Sequence, residues 1–236
     1  MKALVVGGSG TIGGAIVDRL LSQGYQVVIH YYLTSLDTLK DKYKDKNVEF
    51  IKSDLTENRP ISNDFGHVHD LDCLIYTSGT ALYGMLQDMT DEDIDISYAL
   101  HVRQMIRLTR YFIDTLRKSN NGRIIVVSSI WGETGASMET IYSAMKSAQI
   151  GFVKALAQEL ALTSVTVNAI TPGFVTGKMN NIWSEDELKT IIDELPQHRM
   201  IEASEVAHTC AYLCHPMSKS ITGTAVSYTH LRAHET

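Results

Sequence analysis

The chain holds 236 residues, of which 44% are hydrophobic, 20% charged and only four proline, the composition of a folded globule and not of a disordered or fibrous chain. A formal net charge of -6, with no basic stripe and no interleaving of arginine with aromatics, excludes nucleic acid as an expected partner. No apolar run approaches the roughly 20 residues of a membrane helix and no signal-peptide core follows Met1-Lys2, so a cytoplasmic protein without a membrane partner is expected.

The first apolar run, Ala3 to Val6, ends in VVGGSGTIGGAI, which crowds five glycines between Val5 and Ile16. The stretch reads as Gly8-x-Gly10-x-x-Gly13 and equally as Gly7-x-x-Gly10-x-x-Gly13. In both readings a strand passes through residues without Cβ into a helix. There the backbone can approach a pyrophosphate whose charge the helix N-terminus favours. The helix itself, TIGGAIVDRLLSQG, carries Ile16, Leu20 and Tyr25 near helical spacing and stops at Gly24.

The second strand, QVVIHY, ends without an acid. An NAD-type site places a carboxylate about 20 residues beyond the turn to hold the ribose hydroxyls, and His30, Tyr31 and Tyr32 stand there instead. Nothing repels a 2′-phosphate, and His30 with Thr34 or Ser35 is expected to donate to one. NADP(H) is therefore favoured over NAD(H), although no arginine is present to clamp the phosphate. LKDKYKDK follows as a short exposed helix or turn, and VEFI and DCLIY as further strands.

Thr90-x-x-Asp93 is a capping-box signature. It opens a long amphipathic helix from Asp91 to Arg117, with Val102, Met105, Ile106, Thr109, Phe112, Ile113 and Leu116 on its apolar side. The acidic run Asp91 to Asp95 is its solvated first turn. RIIVVSS, VTVNAIT and a weak TAVS complete the strands. Strands apolar on both faces, alternating with helices, predict an α/β single-domain Rossmann fold over residues 1–226. Its doubly wound parallel sheet of about seven strands would carry helices on both faces. Cys73, Cys210 and Cys214 are too few and too scattered for a disulfide framework. His208, Cys210, Cys214 and His215 match no zinc spacing, and SEVAHTCAYLC reads as a helix burying Val206, Cys210 and Leu213 or Cys214. No metal is expected.

Tyr142 and Lys146, four apart in a helical segment, share one face. That pair alone arises by chance. Ser129, thirteen positions earlier, gives it weight, because it ends a strand at the carboxyl edge where open α/β sheets bind ligands. A lysine ammonium within about 4 to 6 Å of the phenol is expected to favour the phenolate and lower its pKa.

With these elements in order, the chain to about Val226 resembles the short-chain dehydrogenase/reductase family. The resemblance rests on the glycine turn, Asp54-Leu55 after the third strand, and YTSG ending at Gly79 where the family has Asn-Asn-Ala-Gly. It rests also on Ser129/Tyr142/Lys146 and on NAITPGFV from Asn168 to Val175. It implies that Tyr142 is the general acid protonating a carbonyl oxygen, that Ser129 hydrogen-bonds that oxygen and that Lys146 also binds the nicotinamide ribose. It implies a cofactor cradle of Gly7, Ser9, Gly10, Thr11, Ile12 and Gly13, with His30 and Tyr31 at the end of the second strand. Asp54 would meet the adenine beside Leu55, Ser78 and Gly79 would line the cofactor, and Pro172, Gly173, Val175 and Thr176 would hold the carboxamide side.

Several positions depart from the family pattern. Thr11 replaces the middle glycine, so that Gly10 supplies the close approach. The family's threonine after Pro-Gly falls on Gly177, with Thr176 one place early. His101 stands at the helix asparagine that many members use in a proton relay; it either relays protons or holds the helix backbone. The final SYTHLRAHET lacks the family's Gly-Gly turn, so residues 227–236 are set apart as a non-native tail. The resemblance implies a homotetramer, through the helix from Asp91 to Arg117.

Within the family, SSIWGETGASMETIYSAMKSAQIGFVKALAQELA is similar to the reductases of 5-aminopentanone-modified elongation factor P. It is close as well to the 3-oxoacyl-acyl-carrier-protein reductases. The implied substrate is thus a ketone borne by elongation factor P or, alternatively, by acyl carrier protein. Trp131 lines the pocket or fills the core. The reading from another class is a non-catalytic NADP(H)-binding sensor or scaffold.

Overall fold

The computed structural model describes residues 1–177 and 183–228. In chain order the elements are β1 (Lys2–Val6), α1 (Thr11–Ser22), β2 (Gln26–Tyr31), α2 (Leu36–Lys42), β3 (Val48–Lys52), α3 (Ser62–Phe65), β4 (Cys73–Tyr76), α4 (Asp91–Tyr98) and α5 (Gln104–Lys118). After them come β5 (Arg123–Val127), α6 (Trp131–Thr134), α7 (Thr140–Glu159), β6 (Thr166–Thr171), α8 (Glu185–Glu194), α9 (Ala203–Cys214) and β7 (Ala225–Ser227).

The strands form one seven-stranded parallel sheet in the order β3-β2-β1-β4-β5-β6-β7. The inner strands are apolar on both faces because both faces are covered, whereas the edge strands β3 and β7 are only partly buried. Ala3, Val5, Val27 and Ile29 pack under Ile16, Val17 and Leu20 of α1 and Val206 and Cys210 of α9. Leu4, Val6, Val28 and Val126 pack under Met105, Leu108 and Phe112 of α5 and Val153 and Leu156 of α7. The chain leaves β1 toward β2 on one side and returns at β4 on the other. The crevice between the carboxyl ends of β1 and β4 is therefore the switch point at which such sheets bind ligands.

The capping box at Thr90 and Asp93 is formed. The helix it opens is not uniform: between α4 and α5 the chain makes a π turn over Ala99–Arg103. Beyond it the buried stripe runs through Met105, Leu108, Phe112 and Leu116. Ile106, expected inside, lies one residue round from Met105 and is 38% exposed. On α9, Val206, Cys210, Leu213 and Cys214 are buried while His208 and His215 are exposed, so the four metal-ligand side chains point to different sides.

At the last edge, Glu133 accepts hydrogen bonds from Thr171 of β6 (2.5 Å) and Ser227 of β7 (2.7 Å). The Tyr228 hydroxyl donates to the Glu205 carbonyl at 2.8 Å, so Ser227 and Tyr228 are part of the folded edge. The rest of the stretch set apart as a tail, 229–236, lies outside the described residues. Among the described residues no helix is long and apolar enough to cross a membrane.

Candidate active site

The glycine turn after β1 is built by exclusion of side chains. Gly7 has φ +84°, and a Cβ on it would lie 2.8 Å from the Ser78 hydroxyl. A Cβ on Gly13 would lie 2.2 Å from the Gly7 carbonyl oxygen. Gly10 is the N-cap of α1 and offers no side-chain cap, and the first turn of that helix holds no acid. The N–H groups at this helix end are left to an incoming anion, which is the chemistry a dinucleotide pyrophosphate requires. Ser9 and Thr11 flank that position on the open side of the turn, while Ile12 packs partly into the core.

His30 does not face this site. Its Nδ1 accepts the Gly7 N–H at 3.0 Å and its Nε2 contacts the Ser53 carbonyl at 3.0 Å. Burial pulls its pKa down to about 4, so it is a neutral imidazole bracing the glycine turn against β3. The expectation that it donates to a 2′-phosphate is corrected: both ring nitrogens are engaged inside. Ser35 is likewise engaged, capping α2 through the Thr38 N–H at 3.1 Å. Tyr31 and Leu55 are buried core residues. Asp54 stays at the end of β3, accepting from the Thr56 backbone (2.8 Å) and hydroxyl (2.7 Å). Burial raises its pKa, but these bonds and one to Tyr32 outweigh that and hold it below its ordinary value.

Ser129, Tyr142 and Lys146 are brought together. Ser129 follows β5, with its Oγ accepting the Trp131 N–H at 3.2 Å. Tyr142 and Lys146, one turn apart on α7, are both buried. The Tyr142 hydroxyl is hydrogen-bonded to Ser129. The Lys146 ammonium donates to the Val127 carbonyl at 3.0 Å and stands 5.5 Å from the centre of the Tyr142 ring.

The electrostatics depart from expectation. Burial pushes Tyr142 up to about 12, the Ser129 bond opposing and the Glu139 charge adding to the rise. Burial also pulls Lys146 down to about 7. A low-dielectric site disfavours both charges, and burial is the largest cause at each residue. The expected lowering of the phenol by the lysine is overridden by burial.

His101, at the π turn, is fully buried, and its ring stands edge-on to Tyr142 with centroids 5.5 Å apart. Its Nε2 lies 3.1 Å from the Thr80 carbonyl and 3.3 Å from the Thr80 backbone nitrogen, and its Nδ1 has no partner among the described residues. Burial first, and Lys146 second, pull its pKa down to about 3. The ring lies so close to Gly79 that a Cβ there would be 2.3 Å from its Cε1. Gln149 of α7, which sequence reasoning passed over, donates to the His101 carbonyl at 2.8 Å.

The remaining predicted residues follow the carboxyl ends of β4 and β6. Ser78 and Gly79 follow β4 beside the glycine turn. Pro172 and Gly173 follow β6, the Pro172 carbonyl accepting the Ile130 N–H at 2.9 Å. Val175 bridges to Ile201. Thr176 is turned toward Ile201 and Glu202, its hydroxyl donating to the Glu202 carboxylate at 3.1 Å. No three His, Cys, Asp or Glu side chains converge as a metal site among the described residues.

A glycine cradle at the switch point, with a buried serine, tyrosine and lysine beside it, matches known proteins along the chain. A family model described as short chain dehydrogenase matches residues 1–188. The uncharacterized oxidoreductase YmfI of Bacillus subtilis is 35% identical over 231 residues, 95% of this chain and 96% of that protein. The 3-oxoacyl-[acyl-carrier-protein] reductase FabG of Haemophilus influenzae is 32% identical over 235 residues, 95% of this chain and 94% of that one. A solved short-chain dehydrogenase/reductase from Serratia marcescens superposes with a TM-score of 0.87 at 28% identity, covering 98% of each chain.

Proposed function

The chain belongs to the short-chain dehydrogenase family and is an NAD(P)H-dependent oxidoreductase, and from that premise we propose that it reduces the ketone of 5-aminopentanone-modified elongation factor P to a secondary alcohol with NADPH. The observation that carries the chemistry is the Ser129, Tyr142 and Lys146 cluster beside the glycine cradle. When bound, the dinucleotide supplies the hydride that reduces the carbonyl carbon. Ser129 and Tyr142 hydrogen-bond the carbonyl oxygen, and Tyr142 gives it the phenolic proton. Lys146 then offsets the phenolate charge left behind. Preference for NADPH rests on the absence of any carboxylate at His30, Tyr31 and Tyr32, since His30 itself is turned inward.

The protein-borne substrate rests on the resemblance around Trp131 and the Tyr142 helix. The test is mass spectrometry of ketone-modified elongation factor P incubated with the protein and NADPH. A gain of two hydrogens, lost in Tyr142→Phe, is the expected result. No gain, in a preparation that binds NADPH, overturns the reading and moves the substrate to a ketone on acyl carrier protein.

We also propose a homo-oligomer built through α4 and α5. Ile94, Ile96 and Tyr98 of α4 and Ile106 and Tyr111 of α5 are exposed, and exposed apolar side chains on these two helices suit a partner copy.

A further inference from the structure

The segment leading into α7 turns through Gly135 and Met138, both in the left-handed region (φ +74° and +64°). It delivers Glu139 to the boundary of the helix, three residues before Tyr142. Glu139 occupies the N-cap position but makes no side-chain cap hydrogen bond. Among the described residues no lysine or arginine forms a salt bridge with it. Its carboxylate meets two parts of the active site. It is hydrogen-bonded to the Trp131 side chain, and the Trp131 backbone N–H holds the Ser129 hydroxyl at 3.2 Å. Its charge also reaches Tyr142 and opposes ionisation of the phenol.

The Met138 carbonyl accepts the Gly84 N–H at 2.7 Å, which ties in the loop that carries Tyr83. The Tyr83 ring stands edge-on to Trp183 at 5.1 Å. Glu133, six residues earlier, shows the contrast: its carboxylate is fully engaged by the Thr171 and Ser227 hydroxyls. Among the described residues the Glu139 carboxylate has the indole alone.

We propose that Glu139 determines specificity by accepting a cationic amino group on the ketone substrate, with the Trp131 indole beside it. This rests on the reductase reading above and deepens it, because an aminopentanone side chain carries an amine whereas an acyl thioester chain is neutral. A half-buried carboxylate without a counter-ion is costly, and beside Tyr142 it opposes the proton transfer that catalysis requires. A substrate cation relieves both effects, while a neutral ketone leaves them in place. Discrimination then comes from an uncompensated charge facing the wrong substrate as much as from attraction to the right one.

The test uses two small ketones of one shape, 5-(trimethylammonio)pentan-2-one and the neutral 6,6-dimethylheptan-2-one, with NADPH. The quantity read is the ratio of their kcat/KM values, which is insensitive to a general loss of activity. The wild type is expected to favour the cation by about tenfold or more. Glu139→Gln should bring the ratio near one, Glu139→Lys should invert it, and Glu139→Asp should restore part of it. A wild-type ratio near one, or a ratio unchanged in Glu139→Gln, overturns the proposal. If neither ketone turns over, their binding to the NADPH complex, followed by tryptophan fluorescence, decides on the same ratio. Modified elongation factor P is run alongside. Reduction of it at equal rates by wild type and Glu139→Gln refutes the cation site and leaves the reductase reading intact. Cation preference among the small ketones without reduction of the factor refutes that reading and leaves the site.

Discussion

At the residue scale the site is a set of charges that the fold resists. Tyr142→Phe keeps the ring against His101 and removes the transferable proton; a loss of about 10² to 10⁴ in kcat is expected with NADPH binding retained. Loss of cofactor binding as well, in a fluorescence titration, would contradict the role given to the hydroxyl. His101 and His30 carry a pH prediction. Their pKa values, about 3 and about 4, lie below the ordinary 6.5, so the unfolded chain takes up protons that the folded one refuses. Stability should therefore be full above pH 6.5 and fall as the pH drops toward 4, by about 1.4 kcal/mol per unit for each histidine. His101→Asn should flatten that slope by about half in urea titrations between pH 4 and 6.5; parallel slopes would refute the account. Ser129, Tyr142 and Lys146 were legible in the sequence because helical spacing and a strand end fix where they stand. Their ionisation was not, since its direction depends on burial, and neither was the inward turn of His30, which is decided by the Gly7 N–H.

At the scale of elements, the glycine turn and the π turn behave differently under substitution. Gly13→Ala would place a methyl 2.2 Å from the Gly7 carbonyl and is expected to cost roughly 1 to 3 kcal/mol and to abolish NADPH binding. Gly10→Ala meets nothing nearer than 3.3 Å and has φ -77°, so its stability should change little. Equal losses in chemical denaturation would refute the close-approach argument. The strands were legible because two covered faces demand uninterrupted apolar runs, and the capping box at Thr90 marked its helix start. The π turn was hidden: one extra residue leaves the pattern on either side intact, and only the buried His101 and the outward Ile106 betray it. Glu139 and Gln149 were hidden for another reason, since a polar residue on a helix reads as solvent-facing until the neighbouring loop covers it.

For the whole molecule, the exposed apolar side chains of α4 and α5 set the prediction. Ile106→Asp, at a position 38% exposed in the single chain, should leave the fold intact and shift sedimentation toward smaller species. An unchanged sedimentation coefficient would place the interface elsewhere. The sheet order has a further consequence, in the time domain. β1 precedes both of its neighbours in the chain and lies inside the sheet: it pairs with β2 at residues 26–29 on one side and with β4 at residues 73–76 on the other. The sheet thus extends from β1 on both sides toward strands made after it. A ribosome paused after Lys52 has emerged, but before Cys73 has, holds a nascent three-stranded piece with the inner edge of β1 bare, open to pairing with a foreign strand. That interval, set by topology alone, is when the chain that will carry the glycine turn is most exposed to misassembly.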